Sequence, residues 1–581
     1  MASRKTVANA SSVVRSRAKT QSWHSTTTTL SRCSRTYTIE AKQSTRNTFQ
    51  SRVLTRKPLT STPGTSHIMT RSSCVSDCST QPIERTYEGA LKVISSRKRN
   101  ARPKAPGSTT GPSKRTGVPY DTPDLRGTPS LVGMSEWLQM LGHTLIIYEQ
   151  DEDINALNVI HVAGTKGKGS TCAFTECILR SHGLRTGFPK KTGLYTSPHL
   201  MKPEERIRIN SEPLAPAVLA KYFFEVYDCL PQLAAEYDPE NPPVERGPRL
   251  LQLWALLAFH VFIREKVDVT ILETHNGGEY DATNVVKKPI VTAVTTLGMD
   301  HIDMLGPTIE NIAWHKSGIY KTGAVALSTV QDPQSAAVLT ERAAAQGEEI
   351  TFAGIDDARL LRASIKLEPF VQRKNASLAI AISQAFLSNS SPNAPSELQL
   401  TSGDIAAGVE HFSWPGRFQI VGNADRTWFL DSAHNDMSVA IAAQWFVDAG
   451  RKIEQGNAGP LRILIFSHIN ELRDTAALLA SLAIALRDSN ADISHVIFST
   501  YAESKEQTSQ KTAENPGLFH EVWTRILPKA QIWNEPFIQG AMERAEALGK
   551  QHGHGMQTLI TGSQHLVGPA LRVLQARGAE V

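Results

Sequence analysis

Short apolar runs alternate with amphipathic stretches along this chain from about residue 159 to the C-terminus. The runs are four to six residues long and rich in Val, Ile and Leu, whereas the stretches between them have the three- to four-residue periodicity of helices. Such alternation predicts an α/β fold with a mostly parallel sheet and helices on both faces. The clearest strand candidates after the first are Val267–Leu272, Ile290–Thr295, Thr427–Leu430, Ile463–Phe466 and His495–Phe498.

Several helices can be predicted from the same pattern. One begins near Ser135, one spans Cys172–His182 directly after the apolar run Asn158–Val162, and a long one lies around Gln372–Leu387. Leu250–Ile263 is the longest apolar stretch, but two polar residues interrupt it, so it is interpreted as a buried helix. No apolar run reaches 18 residues, and no integral membrane contact is therefore expected.

Breaks in the pattern divide the chain into three predicted parts. Residues 1–118 have no strand or helix periodicity and are rich in Ser, Thr, Arg and Pro, which predicts a disordered leader. Trp414–Arg417 contains Pro and Gly and is a candidate hinge. The predicted domains are accordingly residues 119–412 and residues 413–581, in a chain of 581 residues that is 40% hydrophobic.

Charge is distributed unevenly between the leader and the rest. Residues 1–118 carry 22 Lys and Arg against four acidic residues, a net charge of +18, whereas the remainder carries 40 against 52, a net charge of −12. An acidic body argues against nucleic-acid binding. The leader has seven basic residues and no acidic one before Glu40, which is typical of an organelle transit peptide. We expect a mitochondrial location (matrix or inner-membrane-associated), a cytoplasmic one, or both, and an untargeted basic tail remains the alternative.

A glycine-rich loop connects the first apolar run to the first long helix. Its glycines allow a tight turn whose N–H groups point at phosphate oxygens, beside the positive end of a helix. Lys168 is then expected at the β- and γ-phosphates and Ser170 at a magnesium ion. Gly164 and Gly167 are three residues apart, a shorter spacing than in the common phosphate loop, and a chance glycine turn is the alternative. The predicted nucleotide-binding loop comprises Gly164, Thr165, Lys166, Gly167, Lys168, Gly169, Ser170 and Thr171.

Further blocks follow this loop in a recognisable order. They are residues 192–200 (TGLYTSPHL), 205–210 (ERIRIN), 271–273 (ILE) with 277–284 (GGEYDATN), 297–301 (LGMDH) with 312–319 (IAWHKSGI), and, after the candidate hinge, 431–434 (DSAH). Together with the hinge, this series resembles the folylpolyglutamate synthase family of Mur-ligase-like amide ligases. The resemblance covers roughly residue 135 to the C-terminus. It implies an N-terminal ATPase domain of the Mur-ligase type, containing the phosphate loop, and a C-terminal Rossmann-like domain.

The resemblance implies an ATP-dependent ligase that phosphorylates the γ-carboxylate of a folate glutamyl tail and then adds L-glutamate. It also implies Mg²⁺, a monovalent cation such as K⁺, a reduced folate as substrate, and a monomer. Metal ions and fixed cations are needed because the reaction brings several anions together. Dihydrofolate synthase is a close relative in the same class, and the loop residue Lys166 favours folylpolyglutamate synthase only modestly.

The same resemblance assigns roles to individual residues. Glu273 ends a predicted strand, where open α/β sheets place ligands, although a lone strand-end glutamate is more often an ordinary surface charge. Lys316 matches a lysine that is carbamylated in relatives, and Asn375 matches an adenine-side asparagine, for which a helix N-cap or a surface position is nearly as good an interpretation. The implied metal ligands are Ser170, Ser197, Glu273 and His301; the implied catalytic residues are Lys168, Lys316 and His434; Arg417 and Asp431 are assigned to the nucleotide.

Five places depart from the family pattern. Thr274–Asn276 replaces a small, glycine-containing stretch, and its bulk is a candidate obstruction to ligand or loop packing. Ser432 stands where glycine is usual and Asn435 where a small hydroxyl residue is common, while Ser467–Leu472 and Met201–Glu204 also differ. These departures keep two alternatives open: a paralogous amide ligase that acts on another carboxylic acid, and a catalytically weakened nucleotide-binding paralogue.

Overall fold

The computed structural model of the chain describes residues 83–98, 129–143, 154–230, 242, 244–360, 365–390, 395–423, 425–454, 459–468, 474–503 and 516–579. Most of the predicted leader and residues 469–472 of the altered stretch Ser467–Leu472 lie outside these ranges. Everything described below belongs to one compact unit, Gln81–Val581.

An eight-stranded sheet organises the first half of this unit. Its order is β4-β3-β2-β5-β1-β6-β7-β8. The pairs β2–β3 and β3–β4 are antiparallel, and all other neighbouring strands are parallel. All five residues of the central strand β1 are buried, which explains why all of them except His161 are apolar. The strands are β1 Val159–Ala163, β2 Thr192–Tyr195, β3 Ile207–Ile209, β4 Glu212–Pro213, β5 Val269–Glu273, β6 Val291–Val294, β7 Val325–Thr329 and β8 Ile350–Ala353.

Helices cover both faces of this sheet. Val159 and Ala163 of β1 pack toward one layer of helices, and Ile160 and Val162 pack toward the opposite layer, as the two-residue period of a strand requires. The helices are α1 Tyr87–Ser96, α2 Met134–Met140, α3 Lys168–Thr186, α4 Pro216–Cys229, α5 Leu250–Glu265, α6 Ile302–Leu305, α7 Ile309–Ser317, α8 Pro333–Ala344, α9 Phe370–Ser390 and α10 Ser402–Glu410.

The second half has its own six-stranded sheet and its own apolar clusters. Its strand order is β13-β12-β11-β14-β10-β9, parallel except for the edge strand β9. The strands are β9 Gln419–Asn423, β10 Arg426–Leu430, β11 Leu461–Phe466, β12 His495–Phe498, β13 Gln531–Asn534 and β14 Met556–Thr561. The helices are α11 Asp436–Ile453, α12 Thr475–Asp488, α13 Pro516–Ile526, α14 Ile538–His552 and α15 Gln564–Ala576.

These two sheets confirm the predicted α/β class and most of the predicted elements. Cys172–His182 lies within α3, and Leu250–Ile263 lies within the buried helix α5. The candidate hinge Trp414–Arg417 lies between α10 and β9. Within the described ranges, no helix is both long enough and apolar enough to cross a membrane.

The prediction of a disordered leader is wrong for residues 83–98, which contain α1. The Thr86 side chain caps this helix by accepting a bond from Gly89 N at 3.1 Å. Ala90, Val93 and Ile94 form one buried stripe on the core of the first half. A single stripe on a ten-residue helix is a weak signal in a Ser- and Arg-rich segment, and burial against α4 and α5 stabilises the helix despite its length.

Candidate functional site

The phosphate loop runs from the end of β1 to the start of α3. Gly164 has φ +149°, and a Cβ there would lie 1.8 Å from Thr295 Oγ1. Thr165 N and Lys166 N both donate to Thr296 O, at 3.0 and 3.1 Å, which holds the loop beside the end of β6. Gly167 caps α3 with φ +88°, and no side chain of the described segments bonds to that helix end. The first amides of α3 are therefore available to an anion.

The two loop lysines point to opposite sides of the loop. Lys168 Nζ donates to Gly164 O at 3.1 Å and lies 3.9 Å from Glu273 Oε1, at the end of β5. Lys166 Nζ lies 3.0 Å from His434 Nε2 and 3.4 Å from Asp300 Oδ2. The loop thus places one ammonium group against the first sheet and the other against the second half of the molecule.

Glu273, Ser197 and His301 lie around the same cavity as Ser170. Ser197 N donates to Glu273 Oε2 at 3.1 Å. Burial raises the pKa of Glu273, and Lys168 opposes that shift. No three His, Cys, Asp or Glu side chains form a metal cluster in the described part of the chain. A magnesium site here would instead combine one carboxylate and one imidazole with two serine hydroxyls, a donor set that fits a hard cation retaining some of its water.

Lys316 is buried beneath the loop. Its Nζ donates to Gly164 O at 2.7 Å. Burial, reinforced by the charge of Lys168, holds the pKa of Lys316 well below its ordinary value. Lys316 is therefore not an exposed surface cation, and its surroundings shift its equilibrium toward the neutral amine. Its carbamylation stays a prediction.

Asp431 and His434 follow the end of β10, and they are side chains of the second half that line the cavity. Asp431 Oδ2 accepts a bond from Phe418 N at 3.1 Å, next to the hinge residue Arg417. His434 Nδ1 lies 2.9 Å from Ser432 O and must donate there, so its Nε2 is left to accept from Lys166 Nζ. The imidazole is therefore held as the Nδ1–H tautomer.

The pKa of Asp431 gives a prediction about stability. Burial raises this pKa to about 6, with Arg417 opposing the shift. Because the folded carboxyl holds its proton more tightly than the unfolded one, the unfolding free energy of the protein falls as pH rises from about 4 to about 6. We expect Asp431→Asn to exceed the wild type in unfolding free energy at pH 7.5, by about 2 kcal/mol, and the difference to close near pH 4. Urea denaturation at both pH values measures it, and a difference independent of pH would contradict the raised pKa.

Residues of both halves line one cavity of about 760 Å³. Most of the predicted site residues border it, whereas Gly164, Thr171 and Lys316 do not line the cavity. The hinge residues Trp414, Pro415 and Arg417 form part of its wall. The predicted residues along the cavity are Thr165, Lys166, Gly167, Lys168, Gly169, Ser170, Ser197, Glu273, His301, Asn375, Arg417, Asp431 and His434.

Asn375 is a buried residue inside α9, which excludes the N-cap and surface alternatives. Its Nδ2 donates to Gln372 Oε1 at 2.8 Å. A Cβ on Gly167 would lie 2.2 Å from Asn375 Oδ1. The asparagine therefore packs directly on the phosphate loop.

His275, in the segment Thr274–Asn276 of the suspected obstruction, borders the cavity and contacts neighbouring residues of the fold. Its Nε2 lies 2.6 Å from the Tyr195 hydroxyl, and its Nδ1 lies 3.3 Å from Asp281 Oδ1. Asp281 Oδ2 also accepts bonds from the N–H groups of His275 and Asn276. Burial acts to raise the pKa of Asp281, but the charge and hydrogen bond of His275 outweigh it and lower that pKa.

We expect His275→Ala to destabilise the fold by about 2–4 kcal/mol, because Asp281 and Tyr195 would both lose a buried partner. Chemical denaturation measures the loss. His275→Gln keeps a polar group and should recover part of it. A change below about 0.5 kcal/mol would mean that the histidine only fills space.

Ser432, Asn435 and His468, at three of the other departures, also form hydrogen bonds. Ser432 Oγ donates to Gly416 O at 3.1 Å, which ties β10 to the hinge. Asn435 caps α11 through Ser438 N and donates from Nδ2 to Asp300 Oδ2 at 3.4 Å, a contact between the halves. In the altered stretch, His468 Nδ1 donates to Gly562 O at 2.7 Å.

Asp300 and Gln564 also border the cavity, although sequence reasoning did not single them out. Asp300 precedes His301 in a quoted block, and an acidic side chain beside an implied metal ligand was an available signal. Gln564 begins the last helix and carried no signal.

No family model matches the chain. Over 519 residues it is 36% identical to the folylpolyglutamate synthase of Neurospora crassa, covering 85% of this chain and 92% of that protein. It is 36% identical over 406 residues to the protein named folylpolyglutamate synthase, mitochondrial, of Homo sapiens, covering 66% of each. Its fold is similar to that of Mycobacterium tuberculosis folylpolyglutamate synthase complexed with ADP and AMPPCP, with a TM-score of 0.61 and 23% identity, covering 77% of this chain and 95% of that one.

Proposed function

The chain belongs to the folylpolyglutamate synthase family, and on that premise we propose that its cavity adds L-glutamate to the γ-carboxylate of a tetrahydrofolyl glutamate tail at the expense of ATP. One observation carries the assignment of the site: the loop lysines and the second half's Asp431 and His434 meet at a single cavity. The phosphates and the carboxylate that receives phosphate then share a volume bordered by cations.

Two bond exchanges make up the reaction. A γ-carboxylate oxygen attacks the γ-phosphorus of ATP, the bond to ADP breaks, and an acyl phosphate forms. The amine nitrogen of the incoming glutamate then attacks the acyl carbon, the bond to phosphate breaks, and phosphate and a proton leave. Lys168 and the first amides of α3 hold the phosphates and offset their growing charge. Lys166 and His434 contact each other on the side of the loop away from Lys168, and this contact limits the access of water to the acyl phosphate.

Four side chains would hold magnesium: Ser170, Ser197, Glu273 and His301. The bound ion supplies positive charge that offsets repulsion between the phosphates and the carboxylate. Arg417 at the hinge provides a planar fork suited to phosphate oxygens. Asn375, which packs on the phosphate loop, is assigned to the adenine side of the nucleotide. Carbamylation of Lys316 and the monovalent cation stay predictions within this proposal.

The test uses the full chain with MgATP, radiolabelled glutamate and tetrahydrofolate. Glutamylated folate and ADP in equal amounts are expected. ADP release that needs neither folate nor glutamate would redirect the assignment to another carboxylic acid, and failure to bind ATP would contradict it.

The leader supports a mitochondrial location for at least part of the protein. Its basic, acid-poor composition agrees with the word mitochondrial in the name of the human relative. Import of the first 60 residues or so, fused to a reporter, tests the address. We also propose a monomer, which light scattering in solution would check.

A further inference from the structure

The segment Pro198–Lys202 begins directly after Ser197 and lies on the second half of the molecule. Leu200 and Met201 pack against the apolar cluster that α14 and α15 form with the second sheet. The segment also borders the cavity. Ser197, which is assigned to the metal, is thus followed immediately by a segment that packs on the second half of the molecule.

Helix α15 bonds to the peptide oxygens of this segment. Gln564 Nε2 donates to His199 O at 2.9 Å and to Pro198 O at 3.3 Å. Arg572 Nη1 donates to Met201 O at 3.0 Å, while its Nε donates to Glu503 at 2.7 Å. Two side chains on one face of the helix therefore hold three carbonyl groups of the segment.

Gly568 lies between these two side chains on the same helix. A Cβ there would lie 2.2 Å from Leu200 O. Glycine in a helix interior is less favourable than alanine by about 0.5–1 kcal/mol. The close approach of Leu200 O gives a physical reason for glycine at this position.

The opposite edge of the segment is bonded as well. The Glu205 carboxylate accepts from the N–H groups of Leu200, Met201 and Lys202, at 2.8, 3.1 and 2.8 Å. Upstream, Ser197 N is held by Glu273. The backbone that carries the Ser197 hydroxyl is therefore restrained on both edges and at its start.

We propose that Gln564, Gly568 and Arg572 are positioning residues for Ser197, so that the second half sets the place of a hydroxyl of the magnesium site. They act through the segment Pro198–Lys202 and do not touch the metal. The inference rests on the proposed function in one respect: it takes Ser197 as a magnesium ligand. It goes further by making magnesium-dependent nucleotide binding depend on α15.

Gly568→Ala tests this inference because it adds one methyl group and improves helix propensity. Calorimetry of AMPPCP binding to the full chain, with and without Mg²⁺, gives the gain in affinity that magnesium provides. We expect that gain to fall about 10-fold, while the Mg²⁺-free dissociation constant stays near the wild-type value and the Tm falls slightly, because the new Cβ must displace Leu200 O. Gly403→Ala, on α10, is the matched control, since its Cβ would meet nothing closer than 3.6 Å.

Gln564→Ala is a second variant. It removes the two hydrogen bonds that Gln564 donates to the segment, and it adds no atom that could clash. It should lower the magnesium-dependent gain in the same direction. An unchanged gain in both variants overturns the inference, and so does an equal loss of binding with and without Mg²⁺, which would indicate general damage. The proposed function is judged separately, because it fails if the wild type shows no folate-dependent turnover even when AMPPCP binding depends on magnesium.

Discussion

Lys168→Ala is expected to lower kcat by about 10³-fold and leave the fold intact. The Lys168 ammonium is bonded to Gly164 O and lies 3.9 Å from Glu273, so it borders both the loop and the implied metal ligands. Its removal takes away a fixed cation where charge develops during phosphoryl transfer. The measurement is folate-dependent ADP release at saturating MgATP, together with the Tm.

Lys191→Ala is a suitable control for that experiment. Lys191 follows the end of α3, and its Nζ pairs with Glu265 at 3.0 Å, away from the cavity. This variant should retain wild-type kcat. Normal turnover in Lys168→Ala would show that the loop does not hold the transferred phosphate, whereas a collapse of the Tm would assign the lysine a structural role.

Removal of α1 should lower the unfolding free energy by an amount similar to the total unfolding free energy of many domains. A chain that begins at residue 99 loses the buried side chains of Val93 and Ile94, each contributing about 1.5–3 kcal/mol. It also loses the fully buried Arg97, whose Nε donates to Pro248 O at 2.9 Å and whose carbonyl accepts from Leu250 N. We expect a loss of about 5 kcal/mol in unfolding free energy.

A chain that begins at residue 81 is the matched comparison, because it keeps α1 and removes only residues 1–80 of the leader. Urea denaturation should give it the same midpoint as the full chain. It should also retain the bond from the Tyr87 hydroxyl to Glu204 Oε2, at 2.6 Å, beside the segment that follows Ser197. Equal midpoints for chains that begin at 81 and 99 would contradict a structural role of α1.

Local signals were sufficient to predict the α/β class, several strands of each sheet and the phosphate loop. The strand β1 is buried on both faces, so four of its five residues are apolar, and the glycines of the loop meet steric limits that few other residues satisfy. By contrast, α1 is stabilised mainly by packing on distant helices. The fitted position of His275 depends on Tyr195, 80 residues earlier, and the bonds of Gln564 reach back 365 residues. Neither pairing leaves a pattern in the neighbouring sequence.

The same distance explains why the contacts of the altered positions were not visible in the sequence. A histidine in place of a glycine-containing stretch is an obstruction only if the space around it is already full. Here Asp281 and Tyr195 provide partners for both ring nitrogens. Ser432 and Asn435 likewise add bonds at the hinge and between the halves.

The contact between Lys166 and His434 has a consequence for measured nucleotide affinity. The ammonium has three N–H donors, so Lys166 can keep His434 Nε2 and Asp300 Oδ2 as neighbours while another donor bonds to a phosphate oxygen. The lysine would then meet the nucleotide in a position that is already fixed, and little of the binding free energy would be lost in ordering its side chain.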